Sequence, residues 1–188
     1  MPVSDGPVQG KLRVYIPATV AVLRRLLEDR EVFPLGATAF AVTPALREAY
    51  ASGDDEELAE VAMAEAARAS LRLLAAERDP EPEAADGADG GPAPVYRRAV
   101  VAADVTGARL RPDLDDAVVK LAGPVSLNQV ASVHVDLVEA EPHVAKAVDV
   151  VDAADLGDED AEFVLGDAED HQLAWYATQE LPFLLEFL

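Results

Sequence analysis

The first regular pattern along the chain is KLRVYIPA, where Leu12, Val14 and Ile16 alternate with Lys11, Arg13 and Tyr15. A period of two marks a half-buried strand, and Pro17 closes it. Val20, Leu23, Leu26 and Leu27 then recur at helical spacing and predict a first helix opened by Ala18 or Thr19. ATAFAV, residues 37–42, reads as a second strand. Thr43 before Pro44 combines an N-cap with a first-turn proline and predicts a helix over TPALREAY. A longer helix restarts from cap candidates at 52–55. Its acids lie in the first turn, with Arg72 and Arg78 near the end, the order that the helix dipole favours. Met63, Ala67, Leu71 and Leu74 mark its buried face.

VYRRAVVAADV (95–105) is mostly apolar, as a central strand is. AVVKLAGPV (117–125) predicts a fourth strand, residues 126–131 a short helix, and SVHVDLV (132–138) a fifth strand. EPHVAKAVDVVDAA (141–154) is helical, with Val144, Val148 and Val151 inward. The stretch from Asp167 to about Glu180 also reads as a helix, with Asp167 as N-cap and an interruption at Leu181–Pro182 before FLLEFL. The expected fold class is α/β: a single domain over 11–188 with a mixed or mainly parallel sheet of about five strands, flanked by helices, and a helical C-terminus. Residues 1–10 are expected to form a flexible leader. The acidic Pro/Gly stretch at 79–94 has no large apolar residue and is expected to be a disordered loop.

Composition changes that picture in two ways. Half the residues are hydrophobic, but much of this is Ala and Val and aromatics are only 5%. The expected core is therefore many small contacts around Tyr15, Phe33, Phe40, Tyr96, Trp175 and Phe183. The formal net charge is -21, and the last Lys or Arg is Lys146, so residues 147–188 carry twelve acids against no base. Such a surface repels phosphate backbones and anionic headgroups, which argues against direct nucleic-acid or membrane binding and leaves a basic protein partner open. With no Cys, thiolate catalysis, disulfides and Cys-based metal sites are excluded. No apolar run reaches a membrane span and no signal-type segment opens the chain, so a cytoplasmic location is expected.

Three constellations hold candidate chemistry. In EDHQLAWYATQEL, read as helical, Glu169 and Asp170 sit where acids offset the helix dipole, while His171, Trp175 and Thr178 share a stripe flanked by Gln179. Trp175 is either a core anchor on the sheet or, with His171, Thr178 and Gln179, the edge of a partner or ligand surface. His134 and Asp136, two apart on a strand, point to one face. With Glu169 and His171 they compose an alternative acid–base or metal-dependent catalytic set, against which stands the plain polar face of an amphipathic strand. The run DAADLGDEDAEF fails as a calcium loop because Phe163 stands where Gly is required. Asp155, Asp158, Glu159 and Asp160 are instead expected to be an acidic surface. No phosphate-loop, dinucleotide or hydrolase-elbow motif is present. Arg13, Arg47, Arg68, Arg72, Arg97 and Arg98 are expected as ion-pair partners in so acidic a chain.

The phrases RVYIPAT, AVTPALREAYASGDDEELAEVA, AARASLRLLA and DAEDHQLAWYATQEL together resemble an uncharacterised actinobacterial family of short acidic proteins, a domain of unknown function. The resemblance spans most of 11–181 and implies a bacterial cytoplasmic setting, with no activity, ligand or catalytic residue to carry over. The reading from the residues is a non-enzymatic regulatory or accessory protein that works through protein–protein interaction, without cofactor or metal. A small acid–base or metal-dependent enzyme and a small-ligand sensor are the alternatives.

Overall fold

The computed structural model describes residues 6–79 and 94–188. The acidic Pro/Gly stretch thus falls almost wholly outside the described residues, as do the first five of the leader. Of the rest of the leader, Val8 N–H donates to Ala108 O at 2.7 Å and Pro7 bridges to Arg109.

Nine strands and six α-helices are described: β1 (Lys11–Ala18), α1 (Val20–Asp29), β2 (Glu31–Val32), β3 (Thr38–Phe40), α2 (Pro44–Ala49), α3 (Asp55–Arg78), β4 (Ala99–Thr106), β5 (Arg109–Leu110), β6 (Val118–Lys120), β7 (Val125–Ser126), β8 (Val130–Val135), α4 (Glu141–Asp155), α5 (Glu159–Glu169), β9 (Ala174–Ala177) and α6 (Leu181–Glu186). Seven strands make one sheet in the order β5-β6-β3-β1-β4-β8-β9, and β2 pairs with β7 apart from it. Local chemistry starts the helices. The Thr19 and Thr43 hydroxyls accept from Val22 and Leu46 N–H, and Asp54 and Glu57 form a reciprocal capping box at the head of α3.

Alternation along the strands divides the core. Val14 and Ile16 of β1, with Val101 of β4 and Val133 of β8, face α1 and α6 through Leu23, Leu26 and Leu181. Tyr15, Val100 and Ala102 face the other way, onto α2 and α3 through Leu46, Leu58, Ala62 and Ala66. Leu71 and Leu74, farther along α3, pack with Val144, Val148 and Val151 of α4 and Leu165 of α5. The result is one mixed α/β domain.

Three expectations need correction. The sheet is antiparallel at every pairing and has seven strands, not about five in mixed or mainly parallel order. The β1–β3 connection contains α1, then β2 and a 3-10 turn, more chain than the single returning helix of a parallel crossover, and β3 runs against β1. Second, 167–180 is not one helix. Asp158 caps α5 by accepting from Ala161 N–H at 2.9 Å, so that helix starts nine residues earlier than expected and ends at Glu169. Ala174–Ala177 is instead the edge strand β9 on β8. The helical C-terminus is α6, where Pro182 sits in the first turn and starts the helix. Third, of the aromatic anchors only Tyr15 and Phe40 are buried, with Tyr96 half-buried. Phe33, Trp175 and Phe183 are mostly in solvent, so Val, Leu and Ala fill the core.

Candidate functional site

The antiparallel register sets two cross-strand rows side by side. Val100 of β4 pairs with His134 of β8, and His134 with Trp175 of β9; the next row joins Tyr15, Ala102, Ser132 and Ala177. These side chains share the α3 face of the sheet. Because α3 covers Tyr15 and Val100 and stops short of the β9 edge, a groove of about 750 Å³ remains. Tyr15 and His134 lie on its sheet side, Met63, Glu65 and Arg68 on its helix side, and Glu169, His171 and Leu173 along its rim. Trp175 stands beside His134 at the open edge, 61% exposed.

The structure thus brings His134, Glu169 and His171 to one groove and takes Asp136 away from them. Asp136 lies one residue past β8, fully buried, and accepts from Arg98 N–H, Nε and Nη2 at 2.8–2.9 Å. The same Nη2 donates to His171 O at 2.8 Å, tying the rim to the sheet. His134 bonds Ser132 Oγ through Nε2 at 3.0 Å. Among the described residues no three His, Asp or Glu side chains are placed to hold a metal ion.

Two residues without a sequence signal join the site. His143, near the start of α4, meets His171 with Nδ1 and Nε2 2.8 Å apart; one of the facing nitrogens carries the shared proton and the other accepts it. Glu65 is half-buried on α3 and makes no hydrogen bond or ion pair among the described residues. Burial first, then the charge of Asp115, raises its carboxyl above the ordinary range. Burial, aided by Arg13, lowers the His134 imidazole, and burial raises the Tyr15 phenol.

The remaining candidates separate. Thr178 donates to Val130 O at 3.1 Å, and Gln179 is exposed just beyond β9. All six arginines singled out in the sequence form ion pairs. Of the four surface acids, Asp158 caps α5, Glu159 and Asp160 point to solvent, and Asp155 joins α4 to Arg68 and Arg72 of α3. The Arg72 hydrogen bond, with Arg68 beside it, holds the Asp155 carboxyl below its usual range. Asp155→Asn is expected to cost about 1 kcal/mol at neutral pH, a charge-assisted bond discounted for the solvent that screens this exposed pair. A depressed carboxyl stabilises above the unfolded-state range and loses that contribution as pH falls through its folded value. Urea unfolding of wild type and variant should therefore differ at neutral pH and converge in strong acid.

Compared with known proteins, the chain matches one family, described as "Family of unknown function (DUF6912)", over residues 12–185. No curated protein and no solved structure matches it.

Proposed function

We propose that this chain, which belongs to the DUF6912 family of unknown function, is a recognition protein that binds a basic partner along the β9 edge of its sheet. The observation that supports this most is β9 itself. It is the terminal strand of the seven, reads AWYA without a charge, and holds Trp175 61% exposed. Edge strands of monomeric proteins are ordinarily blunted by charge, and an uncharged one with an exposed aromatic suits pairing with another chain. Glu169 and Asp170 before it and Glu180 after it lie in the quarter of the sequence that has twelve acids and no base, so the complementary strand has cationic flanks. Among the described residues no helix is long and apolar enough to cross a membrane.

The test uses a labelled extended peptide with an alternating apolar centre and lysine at both ends, beside the same centre with glutamate ends. Anisotropy should show saturable, salt-sensitive binding of the first alone. Trp175→Lys should weaken it at least about tenfold, as loss of a hot-spot aromatic does, with melting changed by no more than about 0.5–1 kcal/mol because the side chain is mostly in solvent. Equal binding of both peptides, or an unchanged affinity in the variant, would sink the reading.

The second reading, an acid–base enzyme, is favoured by His134, Glu169 and His171 lining one groove. Its residues differ from those expected, with Glu65 and Tyr15 in the place of Asp136.

A further inference from the structure

We propose that the groove between α3 and the β8–β9 end of the sheet is a site for a small organic amine, its ammonium held by the Glu65 carboxylate and the Tyr15 hydroxyl. This concerns the groove alone and stands whether or not β9 takes a partner strand.

The charges lining the groove select a cation. Arg98 is committed to Asp136 and to His171 O, and Arg68 to Asp155 and Glu162, with Glu169 at 3.9 Å. Neither cation is left to receive an anionic ligand. Glu65 is in the opposite position: a carboxylate in the wall with no bond or ion pair of its own among the described residues. The groups that act on it are Arg68 and Arg72 of its own helix, Glu169 of α5 and Asp115 before β6, and the balance with burial disfavours its charged form. An ammonium in the groove supplies the missing opposite charge.

Tyr15 is an independent observation. Its side chain is only 9% exposed, yet its hydroxyl makes no hydrogen bond among the described residues, and the residue lines this groove. Among the described residues no buried side-chain nitrogen or oxygen lacks a partner, so this hydroxyl opens into the groove, where a ligand can take the place of water. The hydroxyl oxygen accepts from an ammonium N–H. Burial, then Arg13, disfavours the charged form of His134, so it adds an acceptor surface rather than a repelling charge. Met63, Ala67 and Leu173 give the apolar wall that a short hydrocarbon body needs, and the volume is that of a small-molecule site.

Phenethylamine, with phenethyl alcohol and phenylacetate as neutral and anionic counterparts, tests the inference by NMR titration of the intact chain. The amine should give saturable shifts at Glu65, His134 and Leu173, and the two counterparts none. Glu65→Gln, which keeps the shape and removes the charge, should weaken amine binding at least about tenfold, as loss of a partly buried charge partner does. Tyr15→Phe should weaken it about threefold to tenfold, the order of one hydrogen bond. Glu65→Gln should melt no lower than wild type at neutral pH, because it removes a charge that has no partner among the described residues. The inference is overturned by binding of the alcohol as tight as the amine, by unchanged binding in Glu65→Gln, by no saturable shift with the amine, or by a Glu65→Gln melting point well below wild type.

Discussion

Arg98→Ala is expected to destabilise the protein by about 3–5 kcal/mol, the cost of leaving a buried charge without its partner. For a chain of this length that is a melting-point fall of roughly 6–20 °C. The reason lies in Asp136, which has no solvent exposure and takes three hydrogen bonds from Arg98, one from its backbone and two from its guanidinium. Alanine keeps the backbone donor and removes the charge, and the carboxylate has no water to turn to. The double variant Arg98→Met/Asp136→Leu should recover most of the loss, since a buried ion pair and an apolar pair of similar size are often close in stability. It will not restore the Nη2–His171 O bond that ties the groove's rim to the sheet. The histidine ring signals of His143 and His171 should therefore stay altered in the double variant even where its melting point returns. A loss under about 1 kcal/mol in Arg98→Ala would mean that the pair does not hold this corner.

The helices were legible where the signal is local. Thr43–Pro44 starts α2, and Asp54 starts α3 from within the cap candidates at 52–55, because a cap is a contact between residues three apart. The β9 strand was not legible. AWYA is too short for its periodicity to separate strand from helix, and the decision comes from pairing with β8, a contact distant in sequence. Strand direction failed for the same reason, since alternating strands and helices do not reveal how far each connection carries the chain. The spacing of His134 and Asp136 puts them on one face only while the strand continues. β8 ends at Val135, and Asp136 turns to Arg98. Glu65 had no signal at all, as one acid among several along α3. What distinguishes it is having no partner among the described residues, a property of the packed molecule.

Leu165→Ala is expected to cost about 2–5 kcal/mol, and its larger consequence is local. Leu165 is fully buried on α5, in the cluster formed with Leu71 and Leu74 of α3 and Val144, Val148 and Val151 of α4. The other buried residues of α5 are both alanines, Ala161 and Ala168. Leu165 is therefore the one large side chain that anchors this helix, and the cavity left by its removal has no neighbouring bulk on α5 to fill it. The helix ends at Glu169, and the rim from Glu169 to Leu173 leads directly into β9. Global unfolding should shift by the full amount, while amide exchange should quicken most over α5, the rim and β9, and least in β1 and β4 at the sheet's centre. Uniform acceleration through β1 and β4 would instead show that α5 and the sheet open as one cooperative unit. In that case neither the groove nor the β9 edge can move independently of the core. The local pattern would make α5 the element whose packing sets the position of both candidate binding surfaces.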